Sequence, residues 1–200
     1  MTSASVPPVP EGAEDLERQG TGVLISTLKN DVEPEVRRYA AYLLGKVRAP
    51  EAILSLIEAL GDQNKSVREQ AMLALVATGK ATVGPLTDAM KDPQWETRYR
   101  AAEALGKLAD EKALKPLLRG LHDNRDHVRY MAAKGLAVVG DSDAVDPLII
   151  LLKDENPFVR TMTTRALAAI GGKKVHAAIQ AALADETDDR VRAAMTDALH

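Results

Sequence analysis

The 200-residue chain has no cysteine. No disulfide, thiol nucleophile or thiolate metal site can therefore form, a usage that fits a reducing compartment. Aromatic residues make up only 3% of it, with Trp95 the single tryptophan, so alanine and leucine must do the packing. Basic charge is not in excess either. The 26 Lys and Arg against 29 Asp and Glu leave a net charge of −3, which gives no global attraction to nucleic acid or to an anionic membrane. No apolar run approaches the roughly 18 residues of a membrane span. The opening "MTSASVPPVPEG" lacks both the basic start and the apolar core of a secretory signal. These absences predict a cytoplasmic protein without a membrane partner. Also missing are a "GxxxxGK" phosphate loop, a "GxSxG" elbow and a Cys-His pair.

What is present is a repeat. Asp31, Asp62, Asp92, Asp123, Asp154 and Asp185 are spaced 31, 30, 31, 31 and 31 residues apart. An arginine follows each: Arg37, Arg68, Arg98, Arg129, Arg160 and Arg192, six residues on in five cases and seven in the last. Seven residues before the aspartate stand Pro85, Pro116 and Pro147. After each arginine the apolar spacing is helical, with Val128, Ala132, Gly135, Leu136 and Val139 on one side, as are Val36, Ala40, Leu43, Leu44 and Val47. Asn64 and Asn156 are placed to cap such helices, Pro157 suits a first helical position, and Gly79, Gly140 and Gly171 suit left-handed C-terminal caps. A shorter apolar run precedes each aspartate, as in "AVDPLIILL", and its proline is expected to bend that helix modestly.

Each unit thus contributes two short helices that cannot bury their apolar faces alone and must stack on neighbours. Ala41, Ala102 and Ala133 are placed to let adjacent units approach closely. Pro7, Pro8 and Pro10 predict a flexible, proline-rich tail over residues 1–12, with the repeat domain over 13–200.

A prolyl first helix, a turn aspartate, and Val-Arg opening the second helix resemble the HEAT repeat. The short period and "VRYMAAKGLAVVGD" are especially similar to the HEAT-like repeats of phycobilin lyase subunits. The resemblance covers about residues 20–200. It implies an all-α, right-handed α-solenoid of about six helix pairs, with Val-Arg helices on the concave side and Asp–Arg contacts laddering along the turns. Thr97 replaces valine in the third unit, and Ser55 and Ala178 stand where others have proline.

The repeated arginines are read as structural, since each has an acid at fixed offset. "HDNRDH" (122–127) is one copy of the common turn and lacks a convincing ligand set. Asp141, Asp143 and Asp146 precede a helix, where its dipole favours acids. HEAT-repeat metalloenzymes that resemble this architecture bind iron through His-Glu dipeptides; this sequence has none. No metal and no cofactor are expected.

The informative positions are those where units differ. On the Val-Arg helices, the third, fourth, seventh and eleventh residues from the valine point away from the apolar stripe. They include all four tyrosines, and the candidate binding strip is Arg38, Tyr39, Tyr42, Tyr99, Arg100, Tyr130, Met131, Lys134, Met162 and Arg165. Tyrosine, methionine and arginine are interface-enriched types. The strip is mildly basic on an acidic chain, which points to a protein partner offering an acidic segment with apolar anchors, and is too weakly charged for nucleic acid. The resulting expectation is a non-enzymatic protein-binding scaffold. The alternative is a phycobilin-lyase-like subunit that assists bilin attachment to an acceptor protein.

Overall fold

The computed structural model of the chain describes residues 6–200. Among them are twelve α-helices and no strand, in six consecutive pairs. The pairs are α1 (Thr21–Asn30) with α2 (Pro34–Val47), α3 (Ile53–Glu58) with α4 (Lys65–Thr78), and α5 (Val83–Ala89) with α6 (Trp95–Leu108). Then follow α7 (Leu114–Gly120) with α8 (Asp126–Val139), α9 (Val145–Leu151) with α10 (Pro157–Ile170), and α11 (Lys173–Asp185) with α12 (Asp189–Asp197). None of these helices is long and apolar enough to cross a membrane. The chain forms two compact units, one ending at Ala104 and the other spanning Leu105–His200.

The helices begin and end for local reasons that the sequence carries. Asn64 accepts the N–H of Ser66 at 2.8 Å and Asn156 that of Phe158 at 2.8 Å, which satisfies the orphan donors of α4 and α10. Asp188 does the same for α12. Gly79, Gly140 and Gly171 close α4, α8 and α10 at positive φ, and Arg48 and Ala109 hold the corresponding place after α2 and α6 at φ 51° and 50°. A side chain there costs about 1–2 kcal/mol, so two of the caps are strained.

The prolines fall in the first turn of the first helices and do not interrupt them. Pro85, Pro116 and Pro147 are each the third residue of an α-helix that follows a 3₁₀ turn. In that first turn an N–H has no intrahelical acceptor to lose. With Ala178 in that place α11 runs unbroken for 13 residues, whereas α3, with Ser55 there, keeps both the preceding 3₁₀ turn and the short helix.

Packing repeats with the same period. Leu44, Leu75, Leu105, Leu136 and Leu167, eight residues after each repeat valine or Thr97, have no exposed surface. Each contributes roughly 1.5–3 kcal/mol of burial. The first helices supply a matching series in Leu56, Leu86, Leu117, Leu148 and Ile179. Small residues set the separation: a Cβ on Gly45 would lie 2.7 Å from the Cα of Ala74, and one on Gly106 would lie 2.7 Å from the Cα of Gly135. Ala41, Ala102 and Ala133 are fully buried as well.

The arginines form rungs with two halves. Nη1 of Arg37, Arg68, Arg98, Arg129, Arg160 and Arg192 donates to the carbonyl oxygen six residues back, at 2.7–3.0 Å. The other half reaches the acid of the following turn. Arg37 holds Asp62 bidentately at 2.8 and 2.9 Å, Arg129 holds Asp154 at 2.7 and 2.9 Å, and Arg160 holds Glu186 at 2.7 and 2.8 Å. Glu186, not Asp185, is therefore the sixth turn acid; it lies six residues before Arg192 and the extra residue belongs to α11. Each turn acid also accepts the N–H two residues on, as Asp154 does from Asn156 at 2.9 Å.

Arg68 makes only the first half. The spacing from Asp62 to Asp92 is one residue short, and Gly79 runs directly into the 3₁₀ turn Lys80–Thr82, without the aspartate that caps its counterparts, Asp110 and Asp141. The described residues place no carboxylate on Arg68.

The expected tail covers residues 1–12. Residues 1–5 lie outside the described residues, but Pro7 is buried and Ala13 has 1% of its surface exposed. A 3₁₀ turn, Leu16–Arg18, follows.

Candidate functional site

The variable residues of the second helices divide by register. Among the strip residues, those fourth from the valine or Thr97, namely Tyr39, Arg100, Met131 and Met162, are buried, with exposures of 1%, 9%, 4% and 8%. At about 100° per residue this register is only about 60° from the apolar stripe, so it turns toward the adjacent helix. Met162 opens onto a cavity.

In the first unit, Tyr39 stacks on Tyr42 with ring centroids 6.0 Å apart. Its hydroxyl donates to Glu17 at 3.1 Å, and Lys46 reaches the same carboxylate at 3.5 Å. The segment ahead of α1 thus lies across the face of α2. Burial, with the Glu17 carboxylate beside it, pushes the Tyr39 phenol up. Arg38 pairs with Glu35 at 2.8 Å. On α6, Tyr99 meets Trp95 edge to face, and Arg100 lies 5.2 Å from the Tyr99 ring while its charge is answered by Glu103 at 2.6 Å. Arg100 is thereby committed within its own helix rather than offered outward.

In the second unit, Lys134 is exposed and Met131 is not. Tyr130, Met162 and Arg165 line one pocket of about 320 Å³ together with Phe158, Asp188 and Arg190. Phe158 is 59% exposed, and the Arg190 guanidinium lies 5.1 Å from its ring centroid. Asp188 is engaged as the cap of α12, accepting the N–H groups of Arg190 and Val191 at 2.9 and 3.2 Å. Arg165 is exposed, and the described residues bring no carboxylate to it.

Phe158 and Arg190 were not in the expected strip. Both stand one residue before the repeat valine, which the helical wheel places at about 260°, between the seventh residue at about 240° and the fourth at about 300°. Extending the count one residue backwards would have found them.

The "HDNRDH" turn holds no metal set. Asp126 is engaged by His127 Nδ1 at 2.7 Å and by the side chain of Asn156. Asp141 caps a 3₁₀ turn through the N–H of Asp143, and Asp146 pairs with Lys174 at 2.5 Å.

Paired helices at a 31-residue period, linked by arginine rungs and packed on small residues, define an α-helical repeat protein of the solenoid class. The HEAT-repeat profile matches residues 21–84, 79–129 and 117–200. The chain belongs to the HEAT-repeat family. It is 34% identical over 126 residues to deoxyhypusine hydroxylase of Neurospora crassa, covering 58% of this chain. The chain spans 39% of that relative's length. Human deoxyhypusine hydroxylase is similar in structure, with 28% identity, a TM-score of 0.52, and coverage of 90% of this chain and 72% of the other. The CpcE–CpcF complex of phycocyanin lyase from Nostoc has 24% identity and a TM-score of 0.70 over 75% of this chain and 99% of its own, a likeness of fold.

These relatives correct the expectation of a non-enzymatic chain, because the curated relative and its human counterpart are enzymes. That expectation rested on missing local motifs. In stacked repeats, equivalent positions of successive units come together in space, so a site needs no contiguous motif. The iron ligands of HEAT metalloenzymes are a separate matter. The sequence has no His-Glu dipeptide, and among the described residues no three His, Cys, Asp or Glu side chains converge as a metal site requires. The donor set of this chain does not fit that group.

Proposed function

We propose that the chain is the protein-recognising part of an enzyme system, holding an extended segment of a client protein along its second helices. The observation that carries this reading is the chain's own segment ahead of α1. It lies across α2 with Glu17 gripped by Tyr39 and Lys46, side chains from the variable positions of that helix. A face that accepts an acidic segment of its own has the chemistry to accept one from a partner. The pocket in the second unit, lined by side chains of α8, α10 and the start of α12, supports the reading. So does the exposed Lys134 beside it in sequence. The relatives supply the enzymatic setting.

Photo-crosslinking residues substituted for Lys134 and Arg165 on second helices, and for Lys115 and Ile150 on first helices, test it in the full chain. The second-helix positions should capture one recurring client segment, identified by mass spectrometry, whose synthetic peptide binds the purified protein. Capture of the client through positions 115 and 150 alone would sink the reading, and so would capture of a bilin chromophore without a protein.

A further inference from the structure

Resting on that reading, the structure assigns to the pocket of the second unit a ligand of defined chemistry: one large apolar side chain flanked by carboxylates, in an extended protein segment. The cavity of about 320 Å³ is at the small end of ligand sites, which run from roughly 300 to 1,000 Å³. It suits a single anchor rather than a whole cofactor. It is lined by the buried Met162, an unbranched side chain that adapts to what lies against it. Tyr130 and Phe158 line it as well.

Phe158 carries the first half of the inference. It is the only phenylalanine of the chain, yet it stands 59% exposed at the mouth of an apolar cavity, where an apolar ligand would gain its burial. The rim carries the second half. Arg165 brings an unanswered guanidinium. Arg190 keeps 70% of its side chain exposed and lies 3.8 Å from Asp188, a carboxylate already committed to two backbone N–H groups. Two cations against one committed anion leave the rim short of negative charge. The occupant that complements both features places its anchor against Met162 and carboxylates beside Arg165 and Arg190. Nucleic acid fits less well, because a rim of net one positive charge offers little to a row of phosphates.

The probe is a fluorescein-labelled, end-capped peptide with phenylalanine between two pairs of glutamates, titrated against the full chain by fluorescence polarisation. Replacing its phenylalanine by alanine, or its glutamates by lysines, should weaken binding roughly tenfold or more. Arg165→Glu and Phe158→Ser in the protein should each weaken it to a similar degree without moving the melting temperature, since both side chains are exposed. Arg18→Glu, outside the pocket, should leave it unchanged. Equal affinity for the lysine-flanked probe, displacement of the peptide by a single-stranded oligonucleotide, no binding at all, or full affinity in both pocket variants would overturn the assignment. If clients crosslink at positions 134 and 165 while the probe fails to compete, this inference falls and the broader reading stands. Crosslinks confined to the first helices would remove that broader reading instead.

Discussion

Replacing Arg129 by alanine should cost about 2–4 kcal/mol. The guanidinium makes two bonds to Asp154, at 2.7 and 2.9 Å, and one to the Asp123 carbonyl at 3.0 Å. The two side chains are only 11% and 7% exposed. Hydrogen bonds to a charged group contribute about 1.5–3 kcal/mol each, and stripping one partner from a buried pair costs about 3–5 kcal/mol. Asp154 would retain the N–H of Asn156 at 2.9 Å, which reduces the penalty. At roughly 2–4 °C per kcal/mol for a chain of this size, the melting temperature should fall by about 4–16 °C. Thermal and urea unfolding followed by circular dichroism measure it. Arg68→Ala is the internal control: it removes a similar stem and the same carbonyl bond but no carboxylate partner, so about 1 kcal/mol is expected. An equal loss in both variants would refute the claim that the link to the next turn is the larger part. A coupling below about 0.5 kcal/mol in a double-mutant cycle with Asp154→Asn would refute it too.

Ala109→Gly should stabilise by about 0.5–1 kcal/mol, because relief of the left-handed backbone at φ 50° exceeds the added freedom of the unfolded chain; an unchanged or lower urea midpoint would count against the strain. Gly106→Val should destabilise by about 1–3 kcal/mol or more, since its Cβ would lie 2.7 Å from the Cα of Gly135, and melting curves decide. The Arg160 guanidinium holds the Glu186 carboxyl below its usual value. Stability from that depression is complete above the unfolded value and is lost as pH falls through the lower folded one. Urea midpoints should therefore drop below about pH 4, and less steeply in Glu186→Gln than in the wild type.

Much of the fold was legible because it is written six times. The aspartate–arginine period, the capping asparagines and the terminal glycines each correspond to a contact that a backbone of that local shape requires. The acid partners were less legible. Asp185 matched the period, but Glu186 completes the rung, and only the geometry of Arg160 decides between neighbouring carboxyls. The strip was partly visible through the helical wheel, which brought together Tyr130, Met162 and Arg165. At the fourth register Tyr39, Arg100 and Met131 are buried, and at α2 the Glu17 carboxylate of the preceding segment meets Tyr39 and Lys46. Neither a neighbour's position nor such a contact leaves a trace in the periodicity of one helix.

The rung between one turn and the next also limits how this sequence can change in length. It spans 25 residues from Arg37 to Asp62 and from Arg129 to Asp154, and at Arg68, where the step is one short, the connection is missing. Small insertions and deletions inside a repeat therefore carry a cost that the duplication or excision of a whole repeat avoids, because a complete unit brings both its own donor and its own acceptor. Arrays built this way grow and shrink in steps of about 31 residues. Their lengths should therefore change more readily than the register within any one unit, with the variable face lengthened or trimmed one pair of helices at a time.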